Sequence, residues 1–241
     1  MPLPRPCCAD DDQNGRPPVH TPVPVVTQYA SAHLITRIAY HGHDPADDPN
    51  WSLSGAPSRA VYARWCRHIC GMACLRMALL HRFDDAPSLF TLLSGALHYG
   101  AYVEQNDEIN GLIYAPFARY VEDTHQVGAA VHGTFDLAEL IALLDDGHMV
   151  MTSVSKEIRR PGRAPERRGG HLVLAIGHDN GRIIYRNPSG HTPEARQASL
   201  PADRFDDFFA HRGISLDLRR TEHSLPSPAT ATGPVASPSS T

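Results

Sequence analysis

Apolar positions recur with helical spacing through the first half of the chain and give way to strand-like runs near residue 148. The clearest helix is "FDLAELIALLDDG", residues 135–147. Leu137, Leu140, Ile141 and Leu144 share one face, and Gly147 supplies the stop. "SLFTLLSGALHYG" (88–100) predicts a second helix ending at Gly100, and "APFARYVEDTH" (115–125) a third. Ser58 is placed to cap a helix over about 59–82, with a break near Cys70. Ahead of it, "VPVVTQY" (23–29) is a short extended segment and "HGHDPADDPNWSLSGAPS" (41–58) a polar loop of turn formers. Then "HMVMTSVS", "HLVLAIGH" and "RIIYRN" read as strands, with "ISLDLR" a late addition. Helices first and antiparallel strands after is the pattern of an α+β domain.

Composition divides the 241 residues into three parts. Residues 1–22 are rich in Pro, Asp and Gly and predict a flexible arm, and residues 221–241 are a Ser, Pro, Ala and Thr tail too poor in apolar residues to pack. The globular domain is therefore expected over 23–220. A net charge of −4 gives no electrostatic case for nucleic acid. No run is apolar enough to span a bilayer or serve as a secretory signal, so a cytoplasmic location is expected. Five cysteines, two of them adjacent at 7 and 8, do not form a disulfide framework and predict free thiols.

The chemistry centres on two stretches. Cys70 is followed by Gly71 and opens an apolar helical run. Far downstream, "GGHLVLAIGHDNGRIIYRNPSG" contains the hairpin turn Asp179-Asn180-Gly181. A three-residue loop there pairs His178 with Arg182, Leu174 with Arg186 and Val173 with Asn187. His171 and Asn187 then lie on one face as diagonal neighbours. A two-residue loop would set them on opposite faces. A thiol at a helix start becomes a nucleophile beside a histidine, and that histidine needs a partner to fix its tautomer. Cys70, His171 and Asn187 supply these roles.

At this point the sequence resembles a family. "CGMACLRM" is similar to the Cys-Gly-Pro-Ala-Ser-x-x-Met segment of papain-like cysteine peptidases related to the bacteriocin leader-processing (double-glycine) peptidases. The order that follows, a helix, a Gly, a β run, Gly-Gly-His, a β run, Asn-Gly and Asn-Pro-Ser-Gly, also resembles that family. The resemblance covers about residues 68–190. It implies a papain-like α+β fold with Cys70 as nucleophile, His171 as base and Asn187 as orienting group. Met72 stands where Pro is usual, and Asn187 where Asp is commoner. The family's oxyanion-hole Gln usually lies six residues before the Cys, a position held here by Arg64. "VPVVTQY" resembles the segment that carries that Gln. The resemblance therefore points to Gln28, followed by a long insertion over about 30–65 that bulges from the fold.

Blander readings apply to the neighbours. Cys66 and Cys74 are read as buried helix residues. A zinc site from Cys66, His68 and Cys70 lacks the usual ligand spacing, and "HGHD" (41–44) lacks distant partners. His178, beside the turn, is the rival base. The basic run "RRPGRAPERR" (159–168) is a solvated insertion, a mobile flap or a patch that attracts an acidic substrate segment. The expected activity is cleavage of a peptide bond through a thioester, with no metal or organic cofactor and a peptide or protein as partner. A leader peptidase for a modified peptide product fits, acting as a free enzyme. The alternatives are an acyl or amide transferase using the same thioester, and a silent member of the fold that binds a peptide.

Overall fold

A computed structural model describes residues 22–106 and 108–219. The tail over 221–241 lies outside the described residues, as does the arm apart from residue 22. The helices are α1 (Ile35–Tyr40), α2 (Arg59–Trp65), α3 (Cys70–Phe83), α4 (Leu89–His98), α5 (Tyr114–His125), α6 (Leu137–Asp145), α7 (Pro193–Arg196) and α8 (Ala202–Phe208). The strands are β1 (Glu104–Gln105), β2 (Glu108–Ile109), β3 (Gly128–His132), β4 (Met149–Ser155), β5 (Gly170–Asp179), β6 (Arg182–Arg186), β7 (Gln197–Pro201) and β8 (Phe209–Asp217). Strands β3-β8-β4-β5-β6-β7, in that order, form an antiparallel sheet, and β1-β2 a separate two-stranded hairpin. This is the α+β layout expected from the change in rhythm.

The sheet is covered on both sides, which is why every residue of β4 is buried. Met149, Met151, Leu172 and Leu174 pack in one core with α3 and α4. Their strand neighbours Val150, Val173 and Ala175 pack in the other with Leu140, Leu144 and Phe205. Alternation along β4 and β5 thus feeds two cores at once. Helix α3 is buried almost all round, so it shows no amphipathic stripe.

The helix expected over 59–82 is two helices. Ser58 caps the first through the Val61 N–H (3.2 Å). The chain turns at 66–69, and α3 restarts at Cys70. Sequence reading missed β3 and β7, which are short and lie at the two edges of the sheet. "VPVVTQY" forms no strand.

Two expectations need correction. The segment after residue 30 does not bulge out. Ile35 and Ile38 are in the core, and the surrounding turns close on the buried carboxylate of Asp48. That carboxylate accepts from the Ser31 N–H (3.0 Å), the Ser31 hydroxyl (2.6 Å), the Asn50 N–H (3.0 Å) and the Tyr62 hydroxyl (2.8 Å). Burial alone would raise its pKa, but these donors outweigh burial and hold it below the usual carboxylate value.

The second correction concerns the hairpin. Its loop has two residues, Asn180 (φ 49°) and Gly181 (φ 70°), and Asp179 pairs with Arg182. By itself this would put His171 and Asn187 on opposite faces. However, Ile176 is unpaired, and above it the register shifts to Ala175 opposite Tyr185 and Leu174 opposite Arg186. The β-bulge adds back the residue that the turn omits. The expected placement of His171 and Asn187 therefore holds, for a different reason.

Two outcomes follow. Asp48→Ala leaves several donors unpaired in a dry site and should cost about 3–5 kcal/mol in denaturant unfolding. A loss under about 1 kcal/mol would mean that the 31–54 segment is not coupled to the fold. Asp48 stabilises the fold above the carboxyl's unfolded pKa, and that contribution is lost as pH falls through its lower folded value. Deleting Ile176 should abolish the cooperative melt or the reactivity of Cys70, whereas Ile176→Ala should cost only about 1–3 kcal/mol.

Candidate active site

Cys70 is the first residue of α3, and the preceding Ile69 offers no capping side chain. The N–H groups of the first turn are therefore not tied up by a cap. Close packing holds this helix start against the sheet. A Cβ on Gly71 would stand 2.9 Å from Leu112 Cδ2 and 3.4 Å from Leu172 Cδ1. The backbone N–H of Leu172, the residue after His171, favours the Cys70 thiolate. Cys70 and His171 thus line one cleft where α3 abuts the start of β5.

His171 Nε2 lies 2.9 Å from Asn187 Oδ1 and 3.0 Å from Ser189 Oγ. Both partners are fully buried, and His171 is 4% exposed. The backbone N–H of Ser189 donates to Asn187 Oδ1 at 3.1 Å. That donor cannot be reversed, so the Asn187 oxygen must face it. The same oxygen faces His171, so Nε2 carries the proton and Nδ1 holds the free lone pair. Arg159 Nε donates to Ser189 Oγ (2.6 Å), leaving the Ser189 hydroxyl proton to point into the pair. The far side of the imidazole is fixed by a chain from Arg159 through Ser189 and Asn187, and its basic nitrogen stays free for a thiol.

The surroundings keep both groups neutral. Burial, aided by the charges of Arg159 and Lys156, depresses His171 to about 3 against the Asn187 hydrogen bond. Burial pushes the Cys70 thiol up, against the Leu172 N–H and the positive charge of Arg159. The expected thiolate–imidazolium pair is thus disfavoured at rest, because a dry site penalises each charge. Cys66 and Cys74 are free and buried, and burial raises Cys66 to about 12 and Cys74 well above its usual value.

Gln28 is also brought to this region. Its N–H donates to the Pro188 carbonyl (2.9 Å) and its side-chain Nε2 to the Cys66 carbonyl (2.8 Å). Reversing the amide would set two oxygens face to face, so the orientation is fixed. Gln28 therefore bridges the turn before Cys70 and the turn after Asn187. Arg64 is engaged elsewhere, with Glu104. The rival base His178 contacts Asp145 at 3.4 Å, at the turn end of β5. Among the described residues no cluster of His, Cys, Asp or Glu could hold a metal. Ser189 and Arg159 were not foreseen. The Ser two residues after Asn187 was the only local signal.

Cys70 and His171 share a cleft of about 700 Å³. Ile109 and Leu112 give it an apolar wall, and Arg67, Lys156, Arg167 and Arg212 bring positive charge to its lining. No helix among the described residues is long and apolar enough to cross a membrane.

A helix-borne thiol packed on an antiparallel sheet that carries a His–Asn pair is the papain-like α+β arrangement. No family model matches the chain, and no curated protein matches it. Among solved structures it is similar to a C39-like peptidase from Bacillus anthracis, at 14% identity and a TM-score of 0.47, over 64% of this chain and 90% of that one. It is also similar to the peptidase domain of Streptococcus ComA, a bi-functional ABC transporter involved in quorum sensing. That match has 15% identity and a TM-score of 0.44, over 62% of this chain and 91% of that one.

A neutral resting pair has a kinetic signature. Alkylation of Cys70 by iodoacetamide should accelerate steadily as pH rises above about 7, following thiol ionisation. A rate already on a plateau from about pH 5 would mean that the ion pair forms in the free protein.

Proposed function

We propose that the chain is a cysteine peptidase that cleaves a peptide bond through a thioester. The observation that carries this reading is the Nε2–H tautomer of His171, fixed by Asn187 Oδ1 beside the thiol-bearing helix start. With Nε2 protonated, Nδ1 accepts the proton of the Cys70 thiol as sulfur attacks the carbonyl carbon. The carbonyl π pair moves to oxygen, and the tetrahedral adduct collapses to a thioester as Nδ1–H protonates the leaving amine. Water, deprotonated by the same nitrogen, attacks the thioester carbon, and Nδ1–H returns the proton to the departing Cys70 sulfur as the acid is released. Because the pair is neutral at rest, His171 works as a general base during attack. The uncapped N–H of Cys70 and the second amide proton of Gln28 Nε2 are assigned to the developing oxyanion. We place the domain at residues 23–220 and the activity in the cytoplasm. The sequence resemblance favours a leader segment of a modified peptide as substrate.

Peptide turnover followed by mass spectrometry tests this assignment. Cys70→Ala and His171→Ala should each abolish detectable turnover, a loss of at least about 10³-fold, without lowering the melting temperature by more than a few degrees. Gln28→Ala should lower turnover by about 10²–10³, and His178→Ala should retain most of it. Full turnover in Cys70→Ala, or loss in His178→Ala with retention in His171→Ala, would overturn the assignment.

A further inference from the structure

The chain is acidic overall, with a net charge of −4. Yet the cleft beside Cys70 and His171 is lined by Arg67, Lys156, Arg167 and Arg212, and among the described residues no Asp or Glu joins its lining. Glu157, next to Lys156 in the chain, is engaged by the Ser155 hydroxyl and lies in the field of Arg159 and Arg167.

Arg212 is placed there by three separate features. Between Thr152 opposite Gly213 and Val154 opposite Phe209, β4 supplies one residue, Ser153, and β8 supplies three, Ala210, His211 and Arg212. This wide bulge, with His211 at φ 54°, turns Arg212 out of the ladder. Tyr114 lies beside both Ser153 and the Arg212 guanidinium, whose charge favours its ionised form against burial. Gly169 (φ +87°) gives the guanidinium room, since a Cβ there would stand 2.7 Å from Arg212 Nη2. A strand distorted and vacated to hold one cation beside a nucleophile is a built feature.

We infer that this cleft is an anion-selective substrate site, in which Arg212 and Lys156 receive an acidic side chain of the peptide flanking the scissile bond. The inference rests on the peptidase reading, and deepens it by naming the substrate class. An arginine held in place offers a fork of N–H donors that matches a carboxylate. Lys156, exposed and without an ion-pair partner among the described residues, adds a mobile charge. The cluster also raises the local concentration of anionic segments.

The test uses two alkylating reagents of similar size, anionic iodoacetate and neutral iodoacetamide, with Cys70 labelling mapped by mass. A change in thiol pKa alters both rates alike, so their ratio reports the field at the sulfur. At low salt the iodoacetate-to-iodoacetamide ratio should exceed that of free cysteine by about tenfold. It should fall several-fold in Lys156→Gln, fall further in the Arg212→Gln double variant, and fall in the wild type at about 0.5 M salt. Lys156→Gln is the safeguard should the Arg212 change disturb Tyr114. A wild-type ratio equal to that of free cysteine, unmoved by salt or by Lys156→Gln, would overturn the inference. With a peptide library, kcat/KM should be about tenfold higher for peptides bearing Asp or Glu within two residues of the cut. Cleavage without that preference would reject the subsite and keep the peptidase. A skewed alkylation ratio with no cleavage of any peptide would reject the peptidase and keep the anion site. Anion selection satisfied equally by single-stranded oligonucleotides, and not by acidic peptides, would reject the substrate class proposed.

Discussion

One unpaired residue, Ile176, decides which way half of β5 faces. Below it the ladder follows the tight Asn180-Gly181 turn, and above it the register is displaced by one residue. Because side chains alternate, that displacement sets two things together. It sends Leu172 and Leu174 to the core that holds α3, and it leaves His171 on the same face as Asn187. A strand without the bulge would present Val173 and Ala175 to α3 and separate the imidazole from its amide. Packing and site geometry thus depend on the same backbone irregularity. An extra residue that satisfies the core cannot be removed without moving the base.

Around that register the parts of the site arrive from distant segments. The segment at 23–28 is stitched to the sheet end through Arg186 Nε on the Val23 carbonyl (3.0 Å) and the Gln28 N–H on the Pro188 carbonyl (2.9 Å). It is stitched to the nucleophile's side through Gln28 Nε2 on the Cys66 carbonyl. The His171–Asn187 turn and the turn before Cys70 are therefore held by one strap. The Asp48 network anchors the chain directly after it. Relative placement of thiol and imidazole is a tertiary matter, because neither α3 nor the hairpin alone fixes the other.

That distinction explains what was legible in the sequence. Local signals carried the Ser58 cap, the restart at Cys70, the amphipathic α6 and the Asn-Gly turn, because each depends on residues a few positions apart. Pairing His171 with Asn187 needed only a hairpin. Its loop length was misread, since Asp179-Asn180-Gly181 fits a two- or a three-residue loop and Ile176 gives no local sign of a bulge. The order in 30–57 was illegible, because its polar residues are satisfied by one aspartate through contacts as long as Ser31 to Asp48 and Asp48 to Tyr62. Arg159 was hidden in a basic run, and only the fold shows that its guanidinium turns inward to Ser189. The wide bulge that exposes Arg212 pairs three residues with one across two strands far apart in sequence.

The positive cleft and the depressed imidazole pull against each other. Burial lowers the basicity of His171 most, Arg159 and Lys156 add to it, and the imidazole sits at about 3. A base so weak is poorly matched to taking a thiol proton near neutral pH. The same cations favour any negative charge that forms nearby, so they stabilise the thiolate and the oxyanion even as they oppose the imidazolium. A carboxylate entering beside Lys156 and Arg212 offsets part of their field, and an imidazolium at His171 then meets less repulsion. Under the proposed reading, substrate charge would favour transfer of the proton from sulfur to Nδ1 as a carbonyl comes into place. Without such a charge the thiol and imidazole stay neutral, and the free protein carries a nucleophile that is protected from oxidants and other electrophiles. Under the proposed peptidase reading, the part of the cost of lowering the base that is due to the cations would be relieved on binding, and an acidic group of the substrate would join the catalytic electrostatics as well as recognition.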